Sequence, residues 1–237
     1  MPLFGAARPK FLAFTARPGV LQRRPRSHCR SETYQRSLVQ GLFFKSTPML
    51  TVVIPTLNSE RMLVATLAML VPGAMSGVVR EVTIADGGST DATLEIAEAA
   101  GCTVAASSAP LGSRLNAAAA AARAPWLMFL RAGTVLDVTW LEEAARFIEE
   151  AGPTGTEAAV FRRSIPVRSR YPVIFEALAL LKFRLFGRAH PDQGLLIDGR
   201  LYREIGGHRE TVADPEADLL ARLGRRRILM LRSGARR

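Results

Sequence analysis

Residues 126–130, Trp-Leu-Met-Phe-Leu, form a continuously apolar run that stops at Arg131, and Ala132, Gly133 and Thr134 after it read as a turn. A guanidinium at the carboxyl end of a buried strand stands where open α/β sheets bind ligands, and it can pair bidentately with phosphate oxygens. A second string, "IADGGSTDAT" over residues 84–93, delivers a carboxylate in the same way. An apolar strand ends at Asp86, Gly87 and Gly88 let a ligand approach the backbone, and a helix opens after them. For chemistry, Asp86 is an acceptor-only group for a base N–H or a ribose hydroxyl; for structure, it is the capping residue of a tight turn.

These residues need strands to deliver them, and the pattern from Met49 onward supplies such strands. "MLTVVIPT" is β-branched and continuously apolar, as a strand covered on both faces should be. "SERMLVATLAML" then has apolar residues at helical spacing. Residues 78–85 read as a second strand, and "STDATLEIAEAA" as a helix with Ser89, Thr90 or Asp91 as N-cap and Gly101 past its end. "CTVAASS" is a short third strand, residues 113–122 an alanine-rich helix, residues 126–130 the fourth strand, and "VTWLEEAARFIEEAG" a long amphipathic helix ending at Gly152. Repeated β-α units with short loops predict an α/β fold with a doubly wound, mostly parallel sheet.

The second half changes character. "AAVFRRSIPVRSR" reads as an edge or antiparallel strand, and "QGLLIDGRLYREIGG" as strand, turn and short helix. "DPEADLLARLG" is a helix with Asp214 as N-cap, Pro215 in its first turn and Gly224 at its end; "ILMLRS" is a last strand. Residues 171–186 form an apolar helix interrupted by Glu176, Lys182 and Arg184, which argues against a membrane span. With Arg168, Arg170 and Arg188 around it, this helix suits either a peripheral contact with the inner face of a membrane or a place in the core.

The net charge of +11 divides unevenly: residues 1–48 hold nine Lys/Arg against one Glu, the remaining 189 residues 23 basic against 20 acidic. The near-balance after Met49 argues against nucleic acid as a partner. Residues 1–48 are proline-dotted and aperiodic, and read as an extension that is not part of the native start, a transit peptide, or a basic tail. Two cysteines, Cys29 and Cys102, provide neither a disulfide framework nor metal spacing, which fits a reducing, cytoplasmic compartment.

The pair "VVIPTLNSE" and "IADGGSTDAT" resembles the family 2 glycosyltransferases of the GT-A fold, with Pro55, Thr56, Asn58 and, one position late, Glu60 in the first string, and Asp86, Gly88, Ser89 and Asp91 in the second. "GSRLNAAAAAARAPWLMFLRAG", with Arg114 and Asn116, looks like the next family segment. "PDQGLLIDGRLYREIGG" and "SGARR" are similar to strings of one bacterial subgroup. The likeness runs from about residue 49 to the last residue. It implies one GT-A domain over 49–237, with a nucleotide-sugar half over 49–151 and an acceptor half over 152–237.

The resemblance implies transfer from a nucleoside-diphosphate sugar to a sugar or lipid-linked acceptor. Asp86, Gly88 and the Pro55-Thr56 backbone would hold the nucleoside, and Glu60 and Arg114 would stand near ribose or diphosphate. For Arg114 the bland reading is a solvated charge at a helix start. Two departures follow. The subgroup's His-Ala-Asp triplet, whose last residue holds a divalent metal such as Mn²⁺ or Mg²⁺, is here Arg131-Ala132-Gly133. Gly133 cannot ligate, so no metal ligand is assigned, and Arg131 is expected to face the diphosphate in its place. Asp137 is expected to cap the next helix. In the family's catalytic Glu-Asp-x-Asp string, Glu216 takes the position of the base and Asp218 that of the second acid; the bland reading makes both first-turn acids favoured by the helix dipole. Asp192 and Gln193 match an acceptor-side pair, with Pro191 in place of a glycine. The alternative to an inverting transferase is a relative that binds a nucleotide sugar without turnover and acts as a partner protein.

Overall fold

In the computed structural model, the residues described are 50–152, 155–163 and 189–237. All fall within one unit, Phe43–Arg237. The 171–186 segment and residues 1–48 lie outside the described residues.

Eight strands form one sheet in the order β3-β2-β1-β4-β7-β6-β8-β5. β1 (Leu50–Thr56), β2 (Val79–Asp86), β3 (Thr103–Ala106) and β4 (Trp126–Phe129) are parallel neighbours. They are linked by α1 (Glu60–Met75), α2 (Thr93–Ala99) and α3 (Leu111–Ala121). β4 then pairs antiparallel with β7 (Leu195–Asp198), Phe129 opposite Leu195, which joins the nucleotide-side strands to the rest. Beyond it lie β6 (Ala158–Arg163) and β8 (Ile228–Arg236), parallel to each other, and the two-residue β5 (Val135–Leu136). Only β7 and β5 run against the other six, so the sheet is mostly parallel.

Successive strand residues point to opposite faces, and both faces are covered. Val52, Ile54 and Met128 enter a core with Leu63 of α1 and with Trp140, Ala144 and Phe147 of α4 (Trp140–Ala151). Val53, Leu127 and Phe129 enter another with Leu115 and Ala118 of α3, Leu201 and Tyr202 of α5 (Gly199–Glu204) and Leu219 of α6 (Pro215–Leu223). Cover on two sides explains why β1 and β4 read as unbroken apolar runs rather than alternating ones. The alanines of α3 let that helix lie close to the sheet, with Ala118 and Ala119 buried.

Several local expectations change. β6 is not an edge strand; it is the antiparallel alternative that holds, against β7, with β8 parallel on its other side. No turn separates β7 from α5, because the Asp198 carboxylate caps the helix directly through Arg200 N (2.7 Å) and Leu201 N (3.3 Å). Asp137 does not cap α4. Its Oδ2 accepts from Gly234 N at 2.7 Å and its own N–H donates to Gly234 O, while Glu143 accepts from Arg232 N and Ser233 N. Those acids therefore pin the C-terminal strand, which is longer than its apolar stretch. Asp214 does cap α6, accepting from Ala217 N at 3.0 Å, with Pro215 in the first turn and Gly224 at the end.

Candidate functional site

At the carboxyl ends of β1 and β2, two loops are braced against each other through Asp86. Its carboxylate is fully buried and takes four donors: Thr56 Oγ1 (2.7 Å) and Ser89 Oγ (2.5 Å) on Oδ1, Gly88 N and Ser89 N (both 2.7 Å) on Oδ2. Burial pushes its pKa up, but these donors outweigh burial and hold it below the usual carboxylate value. With four lone-pair sites filled, Asp86 shapes the Gly87–Ser89 turn rather than offering a free acceptor. A reciprocal cap completes the brace. Asp91 Oδ2 accepts from Glu60 N (3.1 Å) at the start of α1, and Glu60 Oε2 from Ala92 N (3.2 Å) at the start of α2. Glu60 thus serves the loop frame. Asn58, in the left-handed region at φ 49°, donates through its N–H to Ser89 Oγ and accepts from Thr90 N at 2.9 Å. Pro55 lies in register with Ala85, across from the strand that carries Asp86.

Arg114, in the first turn of α3, reaches over these loops. Its Nη1 donates to Ala85 O (2.7 Å) and Thr56 O (3.2 Å), and its Nε to Ala109 O (3.2 Å). A Cβ on Gly87 would come within 2.9 Å of that guanidinium, so a larger residue there would push Arg114 off its carbonyls. Among the described residues no carboxylate pairs with Arg114. Its positive charge is held by backbone carbonyls, two of them at the ends of β1 and β2.

The other charged centre gathers four segments. Arg131, expected to face a diphosphate, instead turns its guanidinium to three carboxylates from the second half of the chain. Nε and Nη2 meet Glu216 Oε2 at 2.7 and 2.5 Å, Nη1 meets Asp192 Oδ1 at 3.4 Å, and Nη2 lies 3.6 Å from Asp214 Oδ1. Arg237, next to the end of β8, also reaches Asp192 Oδ1, at 3.0 Å, and His190 Nδ1 lies 3.3 Å from Oδ2. Burial raises the Glu216 pKa, and the guanidinium beside it offsets this only in part. For Asp192 burial pulls upward too, but Arg237 and its other partners hold it below the usual value. Burial alone would lower the Arg131 pKa; its carboxylates raise it.

The remaining expected residues work in the frame. Gln193 is buried, with Nε2 on Phe161 O (2.8 Å) and Oε1 on His190 N (2.6 Å), so both ends of its amide are used in holding the turn of Pro191–Gln193 to β6. Asp218 pairs with Arg222 at 2.8 Å and with Arg209 at 3.6 Å, and Arg222 in turn donates to Ile205 O and Gly207 O.

Sequence reasoning missed a buried polar knot beside Glu216. The Tyr202 hydroxyl is 2.7 Å from both Asn116 Oδ1 and His208 Nδ1, and Asn116 Nδ2 donates to His208 O at 2.6 Å. Burial lowers the His208 pKa to about 3 and raises that of Tyr202 to about 12, so both are neutral. A small pocket beside the knot is lined by Phe129, His190, Leu195, His208, Glu216 and Leu220 among others. Its lining comes from segments far apart in the chain, and no contiguous string announces it.

The residues at the triplet do not fit a divalent metal. Gly133 has no side chain and sits at φ 92°, and the Arg131 guanidinium, a cation, already occupies the space among the nearby carboxylates. Among the described residues no group of three or more His, Cys, Asp or Glu is arranged to hold one.

Residues 51–208 match the sequence model of glycosyl transferase family 2. No curated protein matches the chain. Among solved structures, S. aureus TarS 1-349 in complex with UDP superposes with a TM-score of 0.60 at 22% identity, over 80% of this chain and 60% of that one. Glucosyl-3-phosphoglycerate synthase from Mycobacterium tuberculosis, in complex with Mn²⁺, UDP and glucosyl-3-phosphoglycerate, gives 0.55 at 21% identity, over 79% and 70%. The chain thus spans about three fifths of the TarS 1-349 length. At such identities the likeness establishes the fold; the family match, which covers more than half of the chain, establishes membership: the protein belongs to glycosyl transferase family 2.

Proposed function

We propose that this protein transfers a sugar from a nucleoside-diphosphate sugar to an acceptor hydroxyl, with inversion and without a divalent metal. The observation that carries the reading is the pairing of two unlike centres on the ligand-binding edge of the sheet. One is the braced pair of loops under Arg114, whose charge no described carboxylate neutralises; the other is the buried carboxyl of Glu216 beside a pocket. The loop backbone and Arg114 take the nucleoside diphosphate. Glu216 accepts the proton of the acceptor hydroxyl as its oxygen bonds to the anomeric carbon. As that bond forms, the bond from the anomeric carbon to the diphosphate oxygen breaks on the opposite face, its electron pair leaving with the nucleoside diphosphate beside the Arg114 charge. Asp192 serves at the acceptor side, whereas Asp218 acts through Arg222 on the 205–207 turn.

Support for the donor class comes from the relatives: TarS 1-349 was solved with UDP and with UDP-GlcNAc, and the synthase with UDP. Among the described residues no helix is long and apolar enough to cross a membrane. The test is turnover with a panel of nucleotide sugars, with Mn²⁺, with Mg²⁺ and with chelator. Transfer that survives chelation is expected. Nucleotide binding with no turnover of any donor would favour the alternative, a binding protein in which the Arg131–Glu216 ion pair holds the base idle.

A further inference from the structure

We infer that Arg131 is a positioning residue for the base, gripping Glu216 by one oxygen and presenting the other, and is not a ligand of the diphosphate. This rests on the transferase reading for its catalytic consequence, but its geometry stands independently. Both Nε and Nη2 converge on Oε2, at 2.7 and 2.5 Å, so Oε1 takes no part in the grip. Glu216 lines the pocket formed with Phe129, His190, Leu195 and His208, and Oε1 is its oxygen outside the two Arg131 contacts. A base whose second oxygen is fixed by a planar fork loses rotational freedom before the acceptor arrives, and a third group that orients the base is the usual way of activating it.

The remaining donors of Arg131 are also committed. Nη1 faces Asp192 and Nη2 lies near Asp214, and turning toward a diphosphate would strand the Glu216 carboxylate, which is almost fully buried. Asp192 keeps Arg237 on the same oxygen at 3.0 Å, so it is Glu216 that holds Arg131 in place. Arg114, unpaired with any described carboxylate, is the guanidinium left for an anionic donor. The resemblance places a metal ligand in the Arg131–Gly133 triplet; in this chain the triplet's charge is directed at the base.

The groups that face Glu216 are Arg131, Asp192, Asp214, His190 and His208, with Arg237 acting through Asp192. Removing Arg131 removes the one contact that lowers the Glu216 pKa and leaves burial and like charges that raise it. Two measurements on the full chain separate a grip on the base from a grip on the donor: UDP affinity, and the Glu216 carboxyl titration followed by carbon NMR and assigned with Glu216→Gln. In Arg131→Met, UDP affinity should stay within about threefold, and the Glu216 midpoint should rise by about one unit or more. kcat should fall about 100-fold at unchanged donor KM, with the acid limb of the pH–rate profile moved to higher pH. Arg131→Lys should restore part of the midpoint. A tenfold loss of UDP affinity with the Glu216 midpoint unmoved would overturn the inference.

Should Arg131→Met not fold, the wild-type chain still decides. Saturating UDP should leave the Glu216 midpoint in place, and an upward jump would mean that the guanidinium has swung to the diphosphate. Absence of turnover with every donor, alongside bound UDP and the shifted Glu216 in the variant, would end the transferase reading and leave the grip standing. Turnover with an unshifted Glu216 would end the grip alone.

Discussion

The loops after β1 and β2 and the cluster around Arg131 both sit at the carboxyl edge of one sheet, yet they satisfy their charges by opposite means. Around Asp86 one carboxylate is met by two hydroxyls and two backbone N–H groups, three of these donors within three residues of it. No cation takes part, and the Arg114 charge nearby is held by carbonyls alone. Around Arg131 two guanidiniums meet three carboxylates drawn from segments 45 to 85 residues apart. The first arrangement is a rigid frame that leaves a positive charge over. The second leaves a carboxyl oxygen and a net negative charge, which suits a proton acceptor more than an anion site. Charge-bearing strings with a family likeness can therefore settle into opposite electrostatic settings on one sheet edge.

The sharpest way to break this contrast is at Glu216. Glu216→Gln keeps the size and removes the base, so transfer should fall about 100- to 10,000-fold while UDP binding is unchanged. Equal loss of both would place Glu216 in the donor site instead. Next in size is Asp86→Ala, which strands four donors in a buried turn and should cost about 3–5 kcal/mol in a denaturant midpoint. A cost under about 1 kcal/mol would mean that the frame is not held by this carboxylate. Because its folded pKa is depressed, Asp86 contributes stability above its unfolded value near 3.9 and loses that contribution as pH falls through the folded value.

The His208 knot supplies a third test. Its folded pKa of about 3 lies below the free value of 6.5, so its contribution is present above pH 6.5 and fades as pH falls toward 3. Urea midpoints should begin to drop near pH 6, well above the carboxylate range, and His208→Phe should flatten that part of the curve. A flat wild-type profile from pH 6.5 to 4.5 would show that the imidazole protonates in place. The smallest effect is expected at Gly133→Asp, which puts back the carboxylate of the family triplet. At φ 92°, with the Met62 sulfur 3.3 Å from the new Cβ, the variant should lose about 1–2 kcal/mol. It should also show no Mn²⁺-dependent rise in Tm; such a rise would reopen the metal question.

Apolar periodicity revealed β1 to β4 and the helices between them, because a parallel strand covered on both faces must be apolar throughout. It missed β5, two residues long, and the full length of β8, whose last residues are polar or small and have backbone N–H groups held by Asp137 and Glu143. Asp86, Gly88 and Asn58 were legible as a loop pair because their partners lie in two short strings with a recognisable likeness. Gln193 and Asp218 were legible as positions but not as parts, since what they hold, the carbonyl of Phe161 and the side chain of Arg222, is set by packing.

The sequence by itself determined the strand ends, the glycine turns and the residues placed there, since a strand's period and a turn's backbone demands act over a few residues. Tertiary structure alone decided whom Arg131 would face. An ion pair has no sequence signature when its partners lie 61 and 85 residues away, and only the antiparallel joining of β4 to β7 and the seating of α6 beside them brings those carboxylates within reach.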